Sequence, residues 1–127
     1  MTDTRFTKTH EWVRLENDGT ITIGVTDHAQ HALGDMVFVE HPEKGEMITA
    51  GKECAVVESV KSASDVYSPV SGEVIAVNDE VVANPELINK DAQSSGWLFK
   101  IRPSNVRELD ALMDTAAYEK YLADSAH

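Results

Sequence analysis

Short runs of alternating apolar and polar residues, separated by turn-forming residues, dominate the first part of the chain. In "EWVRLENDGTITIGV", apolar residues flank Asp18-Gly19, and Ile21, Ile23 and Val25 recur at every second position. A period of two is typical of a strand with one buried face, and Asp-Gly is a strong tight-turn signal. The pattern predicts a β-hairpin with its turn at Asp18 and Gly19.

The period changes directly after this hairpin. In "TDHAQHALGD", Thr26 or Asp27 is placed to cap a short helix near residues 27–33, and Gly34 is placed to end it in the left-handed conformation. The next stretch, "DMVFVEHPEKGEMITAG", predicts a strand, a turn around residues 42–45 and a second strand-like segment.

Two segments rich in β-branched residues follow, "KECAVVESV" and "SDVYSPVSGEVIAVN". They predict a pair of strands on either side of Lys61. "VVANPELINKDAQSSGW" then predicts a loop that contains Pro85 and Gly96, and "WLFKIRP" predicts one more strand, ended by Pro103.

The tail has a helical period. Ser104 or Asn105 is placed to cap a helix, and the residues predicted to share one of its faces are Val106, Leu109, Leu112 and Met113. Asp114 is placed to cap a second short turn, which carries Tyr118, Tyr121 and Leu122.

Many short strands separated by turn signals predict a mainly β fold, a barrel or a sandwich with helices at its margin. The length of 127 residues suits one domain. We therefore expect a single domain over residues 1–127, with a β core over about residues 5–103 and a helical tail over about residues 105–123.

The charge excludes some functions. With 22 acidic and 11 basic residues, the formal net charge is −11. This argues against binding nucleic acid or an anionic membrane through bulk charge, and it suits docking to basic protein surfaces or simply solubility. No apolar run approaches the ~20 residues that cross a bilayer, and no signal peptide is apparent. We expect a bacterial cytoplasmic protein, or a mitochondrial matrix protein if the chain is a trimmed eukaryotic form.

The chain is poor in catalytic signatures. It has no Gly-rich phosphate loop, no Cys-x-x-Cys and no His-Glu-x-x-His, and a nucleophile elbow is also missing. The single cysteine, Cys54, lies in an apolar run, so we expect a small buried hydrophobe in a reducing compartment. His28 and His31 share a predicted helix face, but without a third ligand they favour solvated histidines over a metal site. His10 and His41 are expected to be isolated.

Lys61 is different from the other cations because of its setting. The segment "SVKSAS" surrounds it with small residues, and only Glu58 and Asp65 are near enough in sequence to pair with it. An exposed lysine is usually a solubility residue. At the tip of a hairpin held by β-branched strands, however, the amine is presented as a modifying enzyme would need it.

The residues around Lys61 carry a resemblance to a known family. "VESVKSASDVYSPVSGEVIAVN" is similar to the lipoylation region of glycine cleavage system H proteins, and "THEWV", "GTITIGVTDHAQHALGDMVFVE", "NPELIN", "GWLFKI" and "ELDALMDTAAYEKYL" resemble the same family in the same order. Departures are small. His41 replaces a leucine that many members have, Thr9 replaces a serine, and Ser62 replaces an alanine.

The resemblance implies a hybrid barrel-sandwich fold and lipoic acid in amide linkage on Lys61. It implies that the chain is a carrier and not an enzyme. The aminomethyl group would pass from glycine decarboxylase (P protein) to aminomethyltransferase (T protein), and dihydrolipoyl dehydrogenase (L protein) would reoxidise the lipoyl group. A lipoyl-attaching enzyme is a further implied partner, and nucleic acid and membrane are not.

By position in the motifs, Thr9, Glu11 and Asp65 resemble the residues that meet the amine of the loaded arm. From the residues alone, Glu11 and Asp65 are better interpreted as solvated acids at strand ends, and the resemblance makes the two interpretations about equal.

Other functions stay open at this stage. The chain could be a lipoyl domain or a lipoyl-relay protein that serves other acceptors. Biotinyl domains typically flank their lysine with methionines, whereas here the neighbours are Val60 and Ser62. An unmodified binding module with an exposed Lys61 is the remaining alternative, and the missing motifs argue against an enzyme.

Overall fold

The computed structural model describes residues 3–125, and its strands form two antiparallel sheets. The six-stranded sheet has the order β1-β2-β3-β9-β8-β5, formed by β1 (Asp3–Phe6), β2 (Glu11–Leu15), β3 (Ile21–Val25), β9 (Phe99–Pro103), β8 (Gly72–Val77) and β5 (Met47–Ile48). The three-stranded sheet has the order β4-β6-β7, formed by β4 (Met36–Glu40), β6 (Glu53–Ser59) and β7 (Ala63–Tyr67).

The predicted first hairpin is confirmed. β2 pairs with β3 in the register Leu15↔Ile21 and Val13↔Ile23. Gly19 in the turn has φ 87°, a conformation that glycine adopts without steric cost. The Asp18 carboxylate accepts from the backbone N–H of Thr20 at 3.0 Å, which stabilises the turn.

Helix α1 (Asp27–Leu33) lies where the sequence placed it. Thr26, one of the two predicted caps, accepts from the backbone N–H of Ala29 through its side chain. The prediction for Gly34 is half wrong. Its φ of 89° is positive, but its ψ of −159° is far from the left-handed helical region, so the chain leaves the helix in an extended direction that only glycine adopts readily.

The predicted loop before the last strand is wrong, because it contains two short helices, α2 (Asp79–Ala83) and α3 (Glu86–Asp91). Asn78 caps α2 by accepting from the backbone N–H of Glu80. Each helix has one fully buried anchor, Val81 in α2 and Ile88 in α3. Helices this short contain barely one apolar repeat, so periodicity does not reveal them.

The tail departs from the predicted helix. Asn105 caps a 3₁₀ helix (Val106–Ala111), in which Leu109 is buried and Val106 is 51% exposed. The predicted common face is therefore wrong, since Leu112 and Met113 lie beyond the end of this helix.

The second tail element is longer than the predicted turn. Helix α4 (Thr115–Ser125) follows Asp114, whose carboxylate accepts from the backbone N–H of Ala117 at 2.8 Å, as a cap would. Met113 and Phe6 exchange two backbone hydrogen bonds, so the segment before α4 is tied to the end of β1.

One hydrophobic cluster joins the two sheets. It includes Val13, Ile23 and Ile101 from the larger sheet and Val57 and Val66 from the smaller one. A second cluster of Phe6, Trp12 and Tyr118 holds α4. The mainly β prediction is confirmed, with the sheets in a sandwich-like arrangement.

The predicted division into a β core and a helical tail within residues 1–127 stays a prediction, and residues 1–2 and 126–127 of that range lie outside the described part. Within residues 3–125, no helix combines the length and the apolar character that a bilayer crossing requires.

Candidate functional site

Lys61 lies at the tip of the β6–β7 hairpin, as predicted. The last pairs before the tip are Val57↔Ser64 and Glu58↔Ala63. Inward-facing residues of β6 are buried in the core, while the tip residues 60–62 are exposed. The hairpin thus has one face fixed by packing and an end that stands in solvent.

Ser59 fixes the turn from within. Its hydroxyl oxygen accepts from the backbone N–H groups of Lys61 and Ser62, both at 3.1 Å, and its hydroxyl donates to the carbonyl of Ser62 at 3.2 Å. Its own backbone N–H donates to the Ser62 carbonyl at 2.8 Å. Ser59 is 8% exposed, so these bonds are sheltered from water on one side. One small side chain therefore fixes the turn from inside the hairpin.

A neighbouring segment supports the tip from outside the hairpin. The backbone N–H of Val60 donates to the carbonyl of Asp35 at 3.0 Å. The Lys61 side chain lies against Gly34, with its Cε 3.3 Å from the position that a Cβ on Gly34 would occupy. The missing side chain at Gly34 leaves room for the lysine stem.

The amine of Lys61 has no partner among residues 3–125. Across residues 3–125, no ion pair or side-chain hydrogen bond engages its Nζ, and neither Glu58 nor Asp65 pairs with it. An exposed, unpaired amine on a fixed backbone is accessible to an acylating enzyme, and acylation breaks no interaction that stabilises the fold.

The second feature of the candidate site is the side chain of Glu11. The sequence left two interpretations of it open, a solvated acid at a strand end and a residue that meets the amine of the loaded arm. The solvated interpretation is wrong, since Glu11 is 2% exposed. Its Oε1 accepts from the hydroxyls of Thr7, at 2.6 Å, and Thr9. Its Oε2 accepts from the backbone N–H of Tyr67 at 3.2 Å.

Burial raises the pKa of Glu11 above its ordinary value, although the hydrogen bonds from Thr7, Thr9 and Tyr67 act in the opposite direction. No lysine, arginine or histidine of the described chain forms an ion pair with it. A buried carboxylate without a counter-charge is costly, and it is suited to hold a proton or to bind a cation from outside.

The surroundings of Glu11 form a groove. A depression of about 410 Å³ is lined by Thr7, Thr9, Glu11, Gly51, Tyr67, Ser68, Pro69 and Leu112. Asp65 is not part of it. That residue is exposed and lines another depression, with Glu53 and Cys54. The structure thus brings Thr9 and Glu11 together and places Asp65 elsewhere on β7.

Cys54 is half-buried and packs against the core. Its thiol donates to the carbonyl of Val66 at 3.4 Å, and burial raises its pKa to about 12. At neutral pH the thiol is therefore protonated and a poor nucleophile, which agrees with the predicted structural role.

The predicted isolation of two histidines is wrong. The His10 ring lies 4.7 Å from that of His28, and its Nδ1 is 2.9 Å from the hydroxyl of Tyr118. His41 contacts Asp79 at 3.4 Å. In the part of the chain that the structure covers, no three ligand-type side chains are grouped to hold a metal ion.

Sequence reasoning missed Ser59, Thr7 and the backbone of Tyr67. The Thr7-x-Thr9-x-Glu11 spacing was the available signal, since hydroxyls two and four residues before an acid can reach it from a turn. Nothing local points to Tyr67, which is 56 positions from Glu11.

A mainly β body that presents the exposed Lys61 on a fixed hairpin tip, with a buried carboxylate in a groove at the other end of β7, is typical of carrier domains. The comparisons with known proteins identify the kind of carrier. The sequence model for the glycine cleavage H-protein family matches residues 4–125.

Curated relatives support the same assignment. The chain is 58% identical to the glycine cleavage system H protein of Thiobacillus denitrificans over 98% of this chain and 96% of the relative. It is 58% identical to that of an Azoarcus species over 96% and 95% of the two chains. A crystal structure of a glycine cleavage system H protein from Mycobacterium marinum superimposes with a TM-score of 0.86 at 35% identity, covering 98% of each chain.

The chain belongs to the glycine cleavage H-protein family. It is accordingly a lipoyl-type carrier component of the glycine cleavage system and not itself a catalyst, and the predicted hybrid barrel-sandwich fold is confirmed by the structural match.

Proposed function

We propose that the Lys61 amine carries lipoic acid through an amide bond. The ε-amino nitrogen attacks an activated lipoyl carboxyl on an attaching enzyme, loses a proton and displaces the activating group. The observation that carries this proposal is the free amine on a backbone fixed by Ser59 and Asp35. When bound, the lipoyl group supplies a dithiolane whose sulfur accepts the aminomethyl group derived from glycine.

We further propose the full circuit for this carrier. It receives the aminomethyl group from the P protein, delivers it to the T protein and is reoxidised by the L protein. A mobile arm on a rigid body suits this role, since an arm with one attachment point must visit several active sites.

We propose that the chain forms one carrier domain. Since the curated relatives named above are bacterial, we also propose a location in the bacterial cytoplasm.

The groove around Glu11 is proposed to receive the cargo amine, which is cationic at neutral pH. Oε1 and Oε2 of Glu11 accept from the ammonium, and Thr9 orients the carboxylate. A charge-assisted hydrogen bond in such a site contributes about 1.5–3 kcal/mol. Tyr67 lies on the order of 13 Å along β7 from Ala63, at the usual rise per residue of a strand, so the arm returns along its own hairpin.

That Asp65 is a third contact for the cargo amine stays a prediction. It lies two positions before Tyr67 on β7, and both residues are exposed. Its exposure weakens any charge that it offers.

The test is a reconstituted assay with P, T and L proteins, glycine, tetrahydrofolate and NAD. Lys61→Arg keeps the charge and most of the bulk but forms no lipoyl amide. We expect no glycine-dependent formation of NADH with this variant, whereas Ser62→Ala, which changes the neighbouring exposed residue, keeps wild-type rates. Turnover by the Lys61→Arg protein would overturn the proposal.

A further inference from the structure

Asn89 connects α3 to the segment that supports the Lys61 tip. Its side-chain amide donates to the carbonyl of Gly34 and to Oε1 of Gln30, both at 2.9 Å. Its side-chain oxygen accepts from the backbone N–H of Met36 at 2.8 Å. Both N–H donors and the oxygen of this amide therefore bind to residues within the range 30–36.

The two backbone bonds flank Asp35. Asn89 binds the carbonyl just before Asp35 and the N–H just after it, so both peptide groups next to this residue are fixed. The carbonyl of Asp35 in turn accepts from the backbone N–H of Val60, next to Lys61. Gly34, whose carbonyl Asn89 holds, is also the residue against which the Lys61 stem lies.

The base of this arrangement is rigid. Ile88, the neighbour of Asn89 in α3, is fully buried in the main cluster. Asn89 thus fixes residues 34–36 relative to the core, and the Asp35 carbonyl in turn fixes the backbone of the hairpin tip at Val60.

We propose that Asn89 is a positioning residue for Lys61, acting through the Gly34–Met36 segment. Ser59 sets the shape of the turn from inside the hairpin, and Asn89 sets where the turn stands relative to the body. Without Asn89 the hairpin still pairs, but its tip samples more conformations. An attaching enzyme must then order the tip as it docks, which raises KM for the carrier protein more than it lowers kcat.

Asn78 provides a matched control. It is also an asparagine whose amide donates to two carbonyls, those of Ser95 and Trp97, and whose oxygen accepts from a backbone N–H, that of Glu80. None of these three hydrogen bonds involves residues 59–62 of the hairpin tip. Asn78→Ala therefore removes the same chemistry from another part of the fold.

The first measurement is amide hydrogen exchange of Val60 in Asn89→Ala, Asn78→Ala and wild type. This measurement does not depend on lipoylation. We expect the Val60 N–H to exchange at least roughly tenfold faster in Asn89→Ala, as local opening becomes easier, and to be unchanged in Asn78→Ala. Unchanged exchange in Asn89→Ala, or equal acceleration in both variants, would overturn the inference. If Asn89→Ala loses its cooperative thermal transition, Asn89→Asp is measured on the same criterion, since it keeps the acceptor for Met36 but loses both donors.

The second measurement rests on the proposed function. A lipoate–protein ligase is supplied with lipoate, ATP and each variant, and kcat and KM for the carrier protein are determined. We expect kcat/KM to fall about three- to tenfold for Asn89→Ala, mainly through KM, and to stay at the wild-type value for Asn78→Ala. If wild-type Lys61 itself accepts no lipoate, the proposed function fails, and the exchange measurement alone decides the role of Asn89.

Discussion

The carboxylate of Glu11 accepts a hydrogen bond from the backbone N–H of Tyr67, 3.2 Å away on the strand that descends from the Lys61 tip. This bond connects the six-stranded sheet to the lysine-bearing hairpin of the three-stranded sheet. Glu11 is therefore bound to the last residue of β7, the strand that begins directly after the Lys61 tip. The arm proposed for Lys61 would return along this strand to Glu11, a buried carboxylate that no cation of residues 3–125 neutralises.

Replacing Glu11 should make the loaded carrier lose its cargo faster. Glu11→Ala removes the charge-assisted contacts, so we expect the aminomethyl group to be released roughly ten- to a hundredfold faster in the absence of T protein. The measurement is formaldehyde release from isolated, loaded protein over time. Glu40→Ala, which removes an exposed acid at the end of β4, serves as the control and should behave as wild type.

The same release assay separates the predicted contacts. Asp65→Ala is expected to accelerate loss less than Glu11→Ala does, because an exposed charge is screened by water and salt. An unchanged release rate in Glu11→Ala would count against the groove as the site of the amine.

The raised pKa of Glu11 has a consequence for stability. Native Glu11 keeps its proton to higher pH than the unfolded chain does, whose Glu11 has the ordinary value of 4.5. Between those two pKa values the native state binds more protons, so the free energy of unfolding falls as pH rises. The contribution of Glu11 is fully present in acid and is lost as the pH passes the native pKa.

Thermal unfolding of wild type and Glu11→Gln, from about pH 4 to pH 8, checks this sign. The difference in Tm, wild type minus variant, should decrease with rising pH and then level off. A difference that is flat or that increases with pH would show that burial does not raise the pKa of Glu11 in the native state.

Ser59→Ala should loosen the tip of the hairpin. The change leaves the N–H groups of Lys61 and Ser62 without their common acceptor, so we expect a loss of about 1 kcal/mol in the free energy of unfolding, together with slower lipoylation. Urea unfolding and the ligase assay measure the two effects. Ser62→Ala is the neighbouring control, and equal behaviour of the two variants would refute the role of the Ser59 hydroxyl.

Cys54 should be unreactive in the folded protein. Its pKa is raised from 9.0 to about 12, which lowers the thiolate fraction by roughly a thousandfold. We expect an aromatic disulfide reagent at about pH 8 to react at least roughly a hundredfold more slowly with native protein than with protein in concentrated urea. Comparable rates in both conditions would mean that Cys54 is accessible and activated.

The sequence predicted those parts of the molecule in which local pattern decides structure. The hairpin at Asp18-Gly19, helix α1 and the lysine at a strand-to-strand turn all follow from alternation and capping within about ten residues. Helices α2 and α3 were missed, because their existence depends on burying Val81 and Ile88 in a core formed by distant strands.

The candidate site also combines features that local pattern predicts with features that depend on distant parts of the chain. Lys61 was found because its neighbours are small and its flanks are strands. Glu11 is bound by the backbone of Tyr67, 56 positions away, and the support of the tip depends on contacts between Asn89 and Gly34, which are 55 positions apart. Such contacts are set by the packing of the sheets, so no local period contains them.

The most direct measurement is mass spectrometry of the protein produced in cells supplied with lipoate. Intact mass followed by peptide fragmentation should show one lipoyl group per chain, attached to the ε-nitrogen of Lys61, and none at any other lysine. Protein that stays unmodified in the presence of an active lipoate–protein ligase, or that carries the group on a different lysine, would contradict the assignment of this hairpin tip as the attachment site.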